Sequence, residues 1–293
     1  MFFAIIEYRF FSVHRKLKTV KDDNPLQRAI DFCVLHPEAY LFAQQQPQSP
    51  QQQQQDDYIF YAQDLPSFFD HFNKLNQSDR IFEDIIRDNV PIKFFAFLEF
   101  EANLNQENEE RAAMIPEMVS LLKSYIVRQY KSDFKDQVLS EDSWLEFDMS
   151  RNNKIARHLY NDSMAFASLD HLQTFMNRLT KTIENNKKID EETLKLVVYR
   201  QKNQQKQKKE LFFDLSIYSK HKKIQIPWAT KLGDYKHLLP VIRGVPRFDL
   251  NFPQQAILQR CLLTYFPQKP PQSLLLMYKH ENISERFALW KNK

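Results

Sequence analysis

The spacing of hydrophobic and polar positions changes several times along the chain, and each change predicts an element. From Leu26 to Val34 apolar residues recur at helical spacing (Leu26, Ile30, Cys33, Val34), and Pro25 suits the first turn of that helix. Asp57 to Tyr61 reads as a strand, and Asp64 to Asn76 as a helix that turns Phe68, Phe69 and Phe72 to the core. Arg80 to Ile86 is a short strand or helix leading into Ile92–Glu101, I-K-F-F-A-F-L-E-F-E. That run is dense in Phe, lacks turn formers and is bounded by Asp88-Asn89 and by Asn103 to Asn105, so it predicts a mostly buried strand. Side chains alternate along a strand, which puts Phe97, Glu99 and Glu101 on one face and Ala96, Leu98 and Phe100 on the other.

Further along, Glu107 to Glu110 reads as an acidic loop, Pro116 as a first-turn proline, and Met118, Leu121, Leu122, Tyr125 and Ile126 as one helix face. Ser143 to Met149 alternates as a strand, and so does Lys154 to Tyr160, where Lys154, Ala156 and His158 share a face. Asp170 to Ile183 is an amphipathic helix with Leu172, Phe175, Met176, Leu179 and Ile183 apolar. Two stretches read as solvated loops: the glutamine run Gln44 to Gln55 and the lysine-rich Glu184 to Glu210. Leu211 to Tyr218 reads as another strand, with Asp214 among apolar neighbours. Phe248 to Phe266 and Leu274 to Trp290 read as a helical cap.

Composition narrows the function classes. With 43% hydrophobic residues, including 25 Phe and 12 Tyr, the 293-residue chain can bury a large core. Only two glycines occur, against an average near 7%, which excludes glycine-rich phosphate loops; a nucleotide would have to be held by side chains. Cys33 and Cys261 make neither a disulfide framework nor a zinc finger, and the net charge of +4 is too mild to imply nucleic acid. The apolar opening, M-F-F-A-I-I, is too short for a membrane span. The first twenty residues, with Arg9, Arg15, Lys16 and Lys18 against Glu7, share features with a mitochondrial presequence, though an ordinary first helix or strand is the simpler reading.

Three places carry candidate chemistry. Glu99 and Glu101 on one strand face are suited to a divalent metal, because Mg²⁺ is usually held by one or two carboxylates plus substrate phosphates; the plain alternative is that both are solvated. Lys154 and His158 on one face suit phosphate, although a lone His is more often structural. Asp214, flanked by apolar residues, needs a cation or a hydrogen-bond donor if buried.

In this order the pieces resemble the catalytic module of the PrimPol-type archaeo-eukaryotic primases, over about Leu26 to Lys236. Pro91 to Phe100 is similar to that family's first motif, of the type P-C-K-L-Y-F-D-L-E-F, with Phe82-Glu83 similar to the Tyr-Glu ahead of it. Phe147-Asp148 followed by Lys154-Ile155-Ala156-Arg157-His158-Leu159 resembles the second, L-D-S … K-F-S-R-H-L. Phe213 to Lys220 resembles the third, V-D-L-G-V-Y-T-K, and Ile224 to Lys231 stands where F-R-L-Y-K-S-S-K would be. The resemblance implies an α+β archaeo-eukaryotic primase fold, with mixed sheets, an RRM-like palm and flanking helices. It implies residues 1–25 as an extension, 26–248 as the primase-polymerase domain and 249–293 as the cap. It further implies DNA-directed primase/polymerase activity, Mg²⁺ or Mn²⁺ at Glu99 and Asp214, and nucleotide on Lys154, His158 and Lys231. Apart from the resemblance, if the lysine-rich segment touches nucleic acid rather than standing as a solvated loop, Lys206, Lys208 and Lys209 would meet a single-stranded template or primer-template.

The departures from the pattern bear on activity. Phe97 stands where the family has a metal-binding Asp, Ala156 where it has a Ser, and Gln225 where it has an Arg near the triphosphate, while the zinc tail has no counterpart. Glu101 is a possible substitute ligand, but it would shift the metal by about 7 Å along the strand. The expectation is therefore weakened or lost nucleotidyl transfer. The alternative is an inactive primase-fold subunit with a structural or nucleic-acid-binding role in a larger complex, in the mitochondrion or the nucleus.

Overall fold

The computed structural model describes residues 25–36, 39–45, 58–105, 109–133, 143–151, 153–186, 191–203, 206–230, 238–242, 245–246 and 254–266. The architecture is α+β, built on antiparallel sheets. A four-stranded sheet has the order β2 (Tyr58–Gln63), β1 (Tyr40–Gln45), β3 (Phe82–Ile85), β9 (Lys223–Gln225). A five-stranded sheet has the order β11 (Val245–Pro246), β10 (Leu239–Ile242), β5 (Trp144–Asp148), β6 (Lys154–Phe166), β4 (Ile92–Glu101). β7 (Val197–Asn203) and β8 (Lys206–Leu211) form a separate hairpin.

Alternation along β1 explains how the first sheet is covered. Leu41 and Ala43 pack with Ala29 and Cys33 of α1 (Pro25–Leu35), while Phe42 on the other face stacks on Phe68 of α2 (Leu65–Lys74) at 3.6 Å. Asp64 caps α2, accepting the Ser67 N–H, and Phe68, Phe69 and Phe72 are buried as their spacing predicts. One face of the second sheet is backed by α3 (Glu109–Asp133) and α4 (Leu169–Asn186). There Phe94 meets Phe175 edge to face, and Lys123 reaches Glu146. All the apolar positions expected of α4 are buried.

Between the sheets, the segment 254–266, with α6 (Gln254–Cys261), is pinned from both sides. The Leu263 N–H donates to Asp84 of β3 at 2.8 Å, and Lys93 of β4 donates to the carbonyls of Gln259 (2.9 Å) and Arg260 (3.1 Å).

Several expectations need correction. Gln44 and Gln45 belong to β1, paired with Ile59 and Tyr58, because the ladder supplies the backbone partners a loop would lack. Glu109 and Glu110 open α3, and Pro116 lies inside that helix rather than in its first turn. Burial of Ile115, Met118, Val119 and Leu122 around that proline offsets the hydrogen bond it removes. β6 runs on to Phe166. Residues expected as the lysine-rich loop carry the end of α4, a short helix, α5 (Glu191–Leu194), and the hairpin. Leu211–Tyr218 is not one strand: Phe213 makes an isolated bridge and Leu215–Ile217 forms a 3-10 turn. Residues 1–24, most of the glutamine run and 267–293 lie outside the described residues. Among the described residues no helix is long and apolar enough to cross a membrane.

Candidate functional site

The site is organised by the register of β4. On one side its partner is β6, with Phe97 opposite His158, Glu99 opposite Ala156 and Glu101 opposite Lys154. On the other side Phe213 bridges Leu98; the Glu99 N–H donates to the Phe212 carbonyl (2.8 Å) and the Asp214 N–H to the Phe97 carbonyl (2.9 Å). Residues opposite each other across a ladder point to the same face. Asp214, Phe97 and His158 therefore stand in one row on one face, and Phe147 of β5, the register partner of His158, extends it. Glu99 shares that face. The three segments singled out in the sequence are thus spatial neighbours, although together they span more than a hundred positions of the chain.

Within the row, the Phe97 ring stacks on the His158 imidazole at 3.7 Å, 8° from parallel. The Tyr160 hydroxyl is 3.4 Å from His158 Nδ1. Asp214 is committed locally. One carboxylate oxygen accepts the Ser216 N–H (2.8 Å) and the other the Ser216 hydroxyl (2.9 Å), capping the 3-10 turn. This is the donor that an acid among apolar neighbours needs. Tyr218 locks the turn against β4 by donating to the Phe95 carbonyl at 2.7 Å, and burial raises its hydroxyl well above the usual phenol range.

Glu99 is engaged by cations of the chain itself. Lys154 Nζ stands 2.6 Å from one oxygen and Arg200 of β7 stands 3.9 Å from the other. Glu101, beyond the row, is exposed. Gln225 lies in the other sheet, opposite Glu83, buried and donating to the Ala229 carbonyl at 2.6 Å. Asp148 is on the helix-backed face of β5, paired with Arg157, which burial makes easier to deprotonate than usual. Lys231 lies outside the described residues. Lys206 opens β8, Lys208 pairs with Glu210 at 3.1 Å, and Lys209 lies over the Tyr199 ring at 5.2 Å.

Arg200 and Glu210 were not among the residues the sequence pointed to. The signal available was the β-forming run Val197-Val198-Tyr199, which marks a strand; Val198 is fully buried. Asn105 sets the hairpin beside β4. Its amide donates to the carbonyls of Glu101 (2.8 Å) and Tyr199 (3.1 Å), and its oxygen accepts the Tyr199 N–H (2.9 Å).

The donor set does not fit a pair of divalent metals. An apolar ring stands between Asp214 and His158, the Glu99 charge is met by Lys154, and Asp214 is spent on Ser216. Among the described residues, no group of three or more His, Cys, Asp or Glu is gathered. No family model matches the chain, and no curated protein matches it.

Proposed function

We propose that the chain is a PrimPol-type primase-fold protein that binds single-stranded nucleic acid and nucleotide and has weakened or lost nucleotidyl transfer. In this reading the five-stranded antiparallel sheet backed by α3 and α4 is the palm, and the row Asp214–Phe97–His158 is the remnant of its active site. The meeting of the three motif-like segments on one sheet face supports the resemblance read from their sequences.

The observation that carries the loss of transfer is the Phe97–His158 stack. Two-metal phosphoryl transfer brings two dications within about 4 Å, which requires several anionic oxygens around them. Phe97 supplies none, and its ring occupies the centre of the row. Mg²⁺ or Mn²⁺ would find Glu99 already neutralised by Lys154. Lys154 and His158 remain suited to phosphate through charge-assisted hydrogen bonds, so nucleotide affinity can outlast the chemistry.

Extension of an annealed primer with deoxynucleotides and Mn²⁺ tests this. The expected result is no product above background, with labelled oligonucleotide still retarded in a gel. Efficient extension abolished by Glu99→Gln would overturn the reading.

A further inference from the structure

The charges beside β4 form one connected chain. Lys154 meets Glu99 at 2.6 Å and Arg200 approaches the same carboxylate at 3.9 Å. Arg200 also lies 3.8 Å from Glu210, which pairs with Lys208 at 3.1 Å. Three cations and two carboxylates so alternate across β6, β4 and the β7–β8 hairpin, and all five side chains are partly exposed.

Arg200 is the under-satisfied member. A guanidinium offers five donors, yet both neighbouring carboxylates stand beyond hydrogen-bond reach and one nitrogen makes only a 3.5 Å bond to the Leu211 carbonyl. Its Nε is buried and has no hydrogen-bond partner among the described residues. A buried donor left without a partner calls for one; the nearest carboxylate to this Nε is Glu210, at 3.8 Å, and an oxyanion seated closer on that side would supply it. On the other side of the guanidinium the Glu99 carboxylate stands between Lys154 and Arg200, at good distance from the lysine and poor distance from the arginine.

We propose that Lys154, Arg200 and Lys208 form a track for successive phosphates of a single-stranded nucleic acid, with Glu99 and Glu210 as internal counter-anions that the strand displaces. Glu99 then serves as a stand-in for phosphate rather than as a metal ligand. A strand fits better than a lone nucleotide, because the cations come from three strands, β6, β7 and β8, and are balanced at two separate anion positions. The inference rests on the nucleic-acid reading above, and it adds the residues that take the backbone and the two that oppose it.

Fluorescence anisotropy of labelled oligo(dT), in EDTA so that no metal contributes, tests the proposal. Glu99→Gln and Glu210→Gln should each tighten binding, by about fivefold or more. Arg200→Ala in the Glu99→Gln background should remove the gain and flatten the slope of log K against log salt by about 0.7. Melting curves establish that each variant is folded, and the exposed Glu210→Gln decides the matter if Glu99→Gln does not fold. Unchanged or weaker binding by folded variants overturns the track while leaving the nucleic-acid reading standing. No oligo(dT) binding by the unmodified protein at low salt overturns that reading itself. A gain seen for dATP but not for oligo(dT) overturns the assignment to a strand.

Discussion

Phe97 and His158, register partners on neighbouring strands, lie ring against ring at 3.7 Å and 8° from parallel. The pair joins two positions that the resemblance marks for chemistry and turns them into packing. An aromatic pair of this kind contributes roughly 0.5–1.5 kcal/mol beyond its burial, and here it also fixes the plane of the imidazole. Asp214, on the other side of Phe97, is turned to its own serine. In the reading proposed above, what remains in the row is a scaffold for contact rather than for metal-assisted transfer.

Replacing Phe97 by Asp should expose this directly. The new carboxylate would stand between Asp214 and His158 and near Glu99, losing the stack and adding repulsion. Destabilisation of about 1–3 kcal/mol is expected. Mn²⁺ should restore part of it, since a ligand that binds only the folded state stabilises that state, while the unmodified protein's melting temperature should not respond to Mn²⁺. Calorimetry of both proteins with and without Mn²⁺ is the check. A variant that Mn²⁺ fails to rescue would mean the row is not a lost metal site.

Asn105→Ala should unhook the hairpin from β4. The change leaves the Tyr199 N–H and carbonyl without their side-chain partner, at a cost of about 1–3 kcal/mol. Hydrogen exchange should quicken over Val197–Asn203 and stay slow over Ile92–Phe100. Uniform quickening of both strands would contradict the role given to Asn105.

Two buried groups set opposite pH dependences. Burial lifts the Asp84 carboxyl to about 6, outweighing hydrogen bonds from the Leu263 N–H and the Tyr40 hydroxyl and the charges of Arg87 and Lys93. A carboxyl with a raised folded-state pKa contributes stability below its unfolded value of about 3.9. That contribution is lost as pH rises through about 6. Lys93 is pushed down to about 8, chiefly by burial. Its contribution is present above the unfolded value of about 10.4 and is lost as pH falls through about 8. These two groups together leave stability lowest between those folded-state values. Asp84→Asn should abolish the acid-side slope and keep the alkaline one, measured as urea midpoints across pH. Identical profiles for both proteins would refute the assignment.

How much of this was legible depended on whether burial was one-sided. β4 could be read because its core face is uniformly apolar and its open face is marked by Glu99 and Glu101; α2 and α4 could be read from their Phe and Leu spacing. β7 and β8 could not, because Arg200, Lys208, Lys209 and Glu210 place charge on both faces of the hairpin, and period-two alternation disappears when neither face is wholly apolar. Gln44 and Gln45 were hidden inside a low-complexity run. The role of Asp214 was half visible: the need for a donor followed from its neighbours, but the donor, Ser216, belongs to a turn that the apolar run disguised as strand. The Glu99–Lys154 pair was within reach of the sequence, since both residues lie on strands read correctly, but it required the β4–β6 register. The Arg200 contact required the Asn105 tie, which no local pattern encodes.

Glu99 is balanced by the chain's own cations, and in the reading proposed above it belongs to no divalent-metal site. Electron paramagnetic resonance of Mn²⁺ mixed with an equal amount of the protein tests it most directly, because the free ion's six-line signal fades when it binds. The full free-ion signal is expected, unchanged by Glu99→Gln. Loss of that signal with the unmodified protein, restored by Glu99→Gln, would show Glu99 to be a metal ligand and contradict the account.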